Sequence, residues 1–387
     1  MIEKGWSWST LLLYVVLAIL MTLCARRSVQ VKLKNKKIKI GKKEISQKYL
    51  YYFVIYFVFI IFSCFRVVTK KIGGSDTMTY MKYFNELGYV KFFQNNSLIF
   101  NGYEYIYYNL MYLVRILGGN YICFEFIIYS AIIISYIYII DKEIQDTNAT
   151  SFVILFFIPL LQSLNIIRNC FVAAIGFIAM EKMKQDKWIY AIVLMIVAYL
   201  SHYVALILVV FAIFYKYFPD KFINKKNAII IPVVSTVISI ISFPVVIYLI
   251  KHSGFANYAN RIQISLWGYI PTLILYGMMF LDDKFVSYVK EKGHYIFYKG
   301  FFFLIALLPI TISINVAYRL MLFFDLPKYI LYSDLYLYYR EKDIVKNKKI
   351  FDIIIFVALV LWLIFRIYRM WSGASIMPYR NILFERI

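Results

Sequence analysis

Residues 8–25 read WSTLLLYVVLAILMTLCA and are followed at once by Arg26 and Arg27. Eighteen positions without a charge are close to the roughly 20 that a helix needs to cross the hydrocarbon core of a bilayer. The next segment, 26–48, holds Arg26, Arg27, Lys32, Lys34, Lys36, Lys37, Lys39, Lys42, Lys43 and Lys48 against one acid, Glu44. Lys and Arg crowded beside an apolar run mark the cytoplasmic side. The first run therefore starts outside, and the apolar run 49–67 returns there.

The remainder of the chain repeats this alternation. Of 387 residues, 62% are hydrophobic and 17% charged; mean hydropathy is +0.69. A soluble domain carries closer to a quarter charged residues. Here apolar side chains come in runs of roughly 15 to 22, which excludes a soluble enzyme, a disordered chain, a disulfide scaffold and an outer-membrane barrel. The net charge of +22 sits in loops between those runs, which fits an anionic leaflet and not a nucleic acid. Cys24, Cys64, Cys123 and Cys170 lie in or beside apolar runs without paired spacing, and read as small hydrophobes. No cleavable leader is expected, because the first run lacks a basic stretch before it and a small-residue cleavage site.

Basic loops at 182–187, 216–226, 282–293 and 340–349 supply further cytoplasmic anchors. Apolar runs at 121–140, 151–166, 170–182, 188–201, 203–216, 228–250, 266–281, 295–314, 320–338 and 350–368 fit between them. The expectation is an all-α polytopic membrane protein of about 12 transmembrane helices, both termini outside, forming one domain over 1–387. Segment 104–117 (EYIYYNLMYLVRIL) breaks the parity if it crosses, so it is expected as an interfacial or re-entrant helix within the outer segment 68–120. The tail 369–387 is also placed outside. Stretch 188–216 has basic loops at both ends and is too short to span twice, so a short hairpin is expected with its tip near Ser201 and His202.

Ionisable residues in such segments are costly and mark function by default. The candidates are Arg66, Asp76 with Tyr80, Glu104, Arg168 with Asn169, His202 and Arg319. All fall at outer helix ends or outer loops. His252 and Arg261 are weaker ones. Each has a plainer reading: Arg66 and Arg319 could snorkel, Asp76 and Glu104 could cap helices, His202 could be structural. Arg168, flanked by long apolar runs, is harder to explain that way. There is no P-loop, no dinucleotide fingerprint, no Asp-x-Asp and no metal-spaced cluster. No metal or other cofactor is expected. Arginines converging in an outer cavity suit a diphosphate, and a carboxylate or His could take a proton.

The ordered set resembles the EpsG-like polysaccharide polymerases, relatives of the Wzy-type polymerases of O-antigen and capsule. It is carried by Arg66 closing a helix, Gly74-Ser75-Asp76 with Tyr80, Glu104-Tyr105, and Arg168 before Ala173, Ala174 and Gly176. Ser201-His202, Arg319 before Phe323-Phe324, and a late Pro378-Tyr379 complete it. It covers most of 60–380; the Lys-rich 28–48 does not align with it. The resemblance implies a GT-C-like inverting glycosyltransferase, multi-pass in the bacterial cytoplasmic (inner) membrane, with its active site facing the periplasm or exterior. Its donor and acceptor would be oligosaccharide repeat units on undecaprenyl diphosphate, with a chain-length regulator as a further partner and no nucleic acid.

On this reading Arg168, Arg319 and Arg66 hold the diphosphate. His202, or else Asp76, is the catalytic base, and Glu104, Tyr80, Asn169 and Tyr379 line the substrate site. The rivals are a flippase or transporter of lipid-linked oligosaccharide, which would carry charges along a whole path, and a membrane acyltransferase.

Overall fold

The computed structural model describes residues 6–40, 43–69, 72–86, 88, 104–251, 270–313, 318–342 and 345–383. His252 and Arg261 lie outside them. Among the described residues the chain is 81% helical, with fifteen α-helices. In order these are α1 (Trp8–Leu33), α2 (Lys48–Cys64), α3 (Ser75–Glu86), α4 (Tyr105–Ile116), α5 (Tyr121–Glu143), α6 (Val153–Ser163), α7 (Ile167–Lys184) and α8 (Trp188–Ser201). There follow α9 (Leu206–Tyr217), α10 (Lys225–Lys251), α11 (Ile270–Phe280), α12 (Asp283–Glu291), α13 (Tyr295–Ser313), α14 (Tyr318–Glu341) and α15 (Lys348–Ala374).

Among the described residues, three helices are long and apolar enough to cross a membrane on length and composition: Trp8–Leu33, Tyr121–Glu143 and Lys348–Met370. Shorter apolar helices include Lys48–Cys64, Ala149–Ser163, Trp188–Ser201, Tyr203–Tyr217 and Tyr295–Leu308. These are the helices of a membrane protein. Side-chain caps start several of them: Ser7 accepts from the Thr10 amide, Asn120 from Cys123 and Asn347 from Ile350.

The centre is α6, whose eleven residues are all buried. It packs against α1, α7, α14 and α15, and a helix apolar all round is stable only when enclosed. Close approach beside it uses Gly176 on α7: a Cβ there would lie 3.0 Å from Leu208 and 3.1 Å from Phe323. Small residues let backbones approach where lipid offers no hydrophobic drive between helices.

Two expectations are refined. Segment 104–117 does form its own short helix, α4, which buries Tyr107, Tyr108, Met111 and Val114. The Lys-rich segment is not simply a loop. Helix α1 runs on to Leu33, and β1 (Lys37–Ile40) pairs antiparallel with β2 (Lys43–Ser46).

Candidate active site

Two clusters of polar side chains stand at opposite ends of the bundle. At one end Lys48 and Tyr52 of α2 bind the Asp141 carboxylate of α5, and Lys32 of α1 donates to the Asp141 carbonyl. Nearby, His294 lies 2.9 Å from Glu143 and 2.7 Å from Asp334. This is the end of the basic loops. At the other end stand Arg66, Asp76, Tyr80, Glu104, Arg168, Asn169, His202 and Arg319, and the tail 375–383.

Asp76 is held by an unusual approach. Gly73 (φ +84) and Gly74 (φ +106) adopt left-handed backbone, and a Cβ on Gly74 would fall 2.1 Å from the Leu164 carbonyl oxygen. Only glycine can pass there. The start of α3 thus rests on the α6–α7 turn, where Asn165 Oδ1 accepts from Ser75 Oγ (3.0 Å) and the Asp76 amide (2.9 Å). Thr77 Oγ1 donates to Leu164 O at 2.9 Å. Asn165 performs the capping that Asp76 could have done for itself. The Asp76 carboxylate instead faces the Arg319 guanidinium of α14 at 3.3 Å, and its side chain is 36% exposed.

Glu104, just before α4, is fully buried and serves two partners. One oxygen accepts from Arg168 Nη1, and the other lies 2.7 Å from His202 Nδ1. Arg168, second residue of α7, also donates to the Tyr108 hydroxyl (2.6 Å). Its guanidinium lies 5.4, 5.9 and 5.7 Å from the ring centres of Tyr80, Tyr107 and Tyr108, near enough for cation–π attraction. Burial raises the Glu104 carboxyl's pKa; Arg168 and His202 outweigh it and hold the group below the ordinary range. His202 caps α8, is 2% exposed, and has Nε2 3.1 Å from Asn169 Oδ1. Two buried donors, Arg168 Nε and Asn169 Nδ2, have no hydrogen-bond partner among the described residues. They sit side by side in sequence on the first turn of α7. Tyr80 lies in electrostatic reach of Arg168, Asp76, Arg319 and Glu104.

Two expected ligand-binding residues are placed otherwise. Arg66 is 4% exposed. Its Nη2 donates to Glu125 Oε1 (2.9 Å), Nε to Gly73 O (2.9 Å) and Nη1 to Ser63 O. With all three nitrogens engaged inside the protein, it braces the loop that carries Asp76. Tyr379 donates its hydroxyl to Phe62 O (2.8 Å), stacks on the Phe62 ring and donates its amide to Thr10 Oγ1. It fastens the tail. The tail also pairs with 65–67, and Ser375 O accepts from Gly74 N.

The sequence reading passed over Asn165 and Glu125, whose only signal is a polar residue next to an apolar run. It also passed over charges deeper along α14. Lys328 pairs with Asp325, both buried, and Asp334 meets His294. The polar residues are therefore not confined to one end.

The model of the EpsG family matches residues 48–381. The match spans most of the chain, and the chain belongs to the EpsG family. No curated protein and no solved structure gives a significant match.

Proposed function

We propose that this EpsG-family membrane protein is a repeat-unit polysaccharide polymerase. It is read as a single polytopic unit of about twelve crossings in the bacterial cytoplasmic membrane, its site on the outer face. The substrates are two oligosaccharides on undecaprenyl diphosphate. The acceptor hydroxyl oxygen bonds to the donor's anomeric carbon with inversion while the bond from that carbon to the diphosphate oxygen breaks. The hydroxyl proton passes to a base.

Asp76 is that base. Its carboxylate is open, lies at a helix start fixed by Asn165, and is kept near the leaving group by Arg319. His202 is the poorer candidate, since both ring nitrogens face protein groups and the residue is buried. Arg319 and Arg168 take the charge that builds on the departing diphosphate, as guanidinium forks suit phosphate oxygens without a metal. Glu104, His202 and Asn169 position Arg168, and Tyr80 borders it.

The observation that carries the reading is the Asp76–Arg319 pair, with its partly exposed carboxylate, within electrostatic reach of the tyrosine that packs on Arg168. Flippase chemistry gains some ground from the charges along α14, but Asp325–Lys328 and Asp334–His294 are closed pairs. Purified protein given lipid diphosphate oligosaccharide tests it. Chain ladders support the polymerase; relocation of unextended lipid would sink it.

A further inference from the structure

Asp325 and Lys328 on α14 neutralise each other, but a further charge stands at their level. Arg366 of α15 lies within electrostatic reach of Lys328, Tyr329 and Tyr332. It is half-buried and makes no hydrogen bond or ion pair among the described residues. One carboxylate against two cations leaves a positive charge uncompensated on a membrane-spanning helix. Such a charge is costly, and an anion from outside the chain would relieve it.

The height of Arg366 follows from ties at both ends of α15. At the end of the basic loops Arg340 Nε donates to Asp352 Oδ1 (2.8 Å), and the Tyr336 ring stacks on Phe351. From there, at about 1.5 Å per residue, α14 rises roughly 18 Å to Lys328 and α15 roughly 21 Å to Arg366. Arg366 is about 27 Å along α15 from Lys348, near the far edge of a hydrocarbon layer about 30 Å thick. At the site's end α15 leads into Ser375, whose carbonyl accepts from Gly74 N (3.2 Å) in the loop that carries Asp76. Arg366 thus lies roughly 13 Å below that loop, measured along the helix. Leu361, Phe365 and Tyr368 near it on α15 are exposed, so it is reached from lipid.

The two substrates of a polymerase ask different things of their diphosphates. The donor's departs from the reacting carbon, beside Arg168 and Arg319. The acceptor's stays attached, and a whole repeat unit separates it from the hydroxyl that reacts. It needs a cation set apart from Asp76 and open to lipid, with no charge developing on it. We propose that Arg366 binds the diphosphate of the lipid-linked acceptor, a second lipid-diphosphate site apart from that of the leaving group. This rests on the polymerase reading.

The test uses the full chain in phosphatidylcholine nanodiscs with radiolabelled undecaprenyl diphosphate, which carries no sugar. Wild type should bind two molecules per chain and Arg366→Gln one; adding Arg168→Ala to Arg366→Gln should remove the other. Arg366→Lys should keep the second molecule at lower affinity. Arg366→Gln should melt no lower than wild type, since it removes an uncompensated charge. Kinetics use a phosphonate repeat unit on the same lipid, which cannot be cleaved and so serves only as acceptor. Its KM should rise about 10-fold in Arg366→Gln, the weight of one charge-assisted hydrogen bond, with kcat unchanged, because that bond is equal in ground and transition states. Two molecules still bound by Arg366→Gln, or a fall in kcat alone, overturns the proposal. So does a large drop in its melting temperature, which would make Arg366 structural. Displacement of the second molecule by an equal amount of phosphatidylglycerol also overturns it, since any anionic headgroup would then serve. Two bound molecules with no polymer formed would instead sink the polymerase reading and leave the second diphosphate site standing.

Discussion

Glu104 Oε1 lies 2.7 Å from His202 Nδ1 while the other oxygen of the same carboxylate accepts from Arg168. One acid, just before α4, thus ties the cap of α8 to the first turn of α7. The consequence is that Arg168 and His202 cannot be altered independently.

Glu104→Gln keeps the shape and removes the charge. A buried pair broken on one side costs about 3–5 kcal/mol, and Arg168 is the cation left behind. Lower thermal stability and a large loss of chain formation are expected together. A variant as stable and active as wild type would remove Glu104 from the site.

Asp76→Asn should abolish base catalysis, worth roughly 10² to 10⁴ in rate, and leave binding of a lipid diphosphate analogue nearly intact. His202→Ala should weaken binding and rate together, through Arg168. Near wild-type polymer from Asp76→Asn, with a dead but binding-competent His202→Ala, would return the base to His202.

Arg168 and Arg66 should fail differently. Arg168→Lys keeps charge but not the planar fork; a lost bond of roughly 2–3 kcal/mol, expressed in the transition state, lowers the rate about 10²-fold. Arg168→Ala should be worse and lose diphosphate binding. Arg66→Ala should instead unfold the outer loop, since it strands Glu125 at a cost of about 3–5 kcal/mol. Thermal melts beside activity separate the cases; a stable Arg66→Ala with selectively lost binding would contradict its bracing role.

Sidedness is open to a direct check. In intact cells, cysteine probes replacing Ser75, Lys251 and Ser372 should label from outside, and probes replacing Lys37, Lys225 and Lys346 should not. Labelling at 75 only after permeabilisation would invert the topology and move the site indoors.

His294 makes a pH prediction at the opposite end. Burial lowers its pKa, but Asp334 and Glu143 overcome this and raise it from 6.5 to about 9; Glu181 and Lys184 flank Glu143. A raised histidine contributes its stability fully below pH 6.5 and loses it as pH climbs through 9. The loss is roughly 3 kcal/mol at 1.36 kcal/mol per unit. Melting temperature should fall over that window in wild type and change less in His294→Gln. Parallel curves would show that His294 does not carry the charge.

Much was readable without coordinates because hydropathy and charge are local. Long uncharged runs force helices, since a bilayer cannot satisfy an unpaired backbone group. The period that failed was the short one. K-I-K-I in 37–40 alternates as a strand does, yet beside so many lysines it read as loop. The residue types of the site were equally legible, because arginine, histidine and acid next to apolar runs are conspicuous by their cost.

Partnership was not legible, because it depends on which helix ends converge. Asp76 meets Arg319 across 243 positions, and nothing local says so. Arg66 and Arg168 look alike in sequence, each at a helix end beside apolar residues. The first meets Glu125 and three carbonyl oxygens; the second keeps one donor unclaimed among the described residues. The sequence by itself determined a helical membrane protein and the chemistry available to it. Tertiary packing decided which charges neutralise one another and which remain open to a substrate, since burial and distance are properties of the assembled bundle.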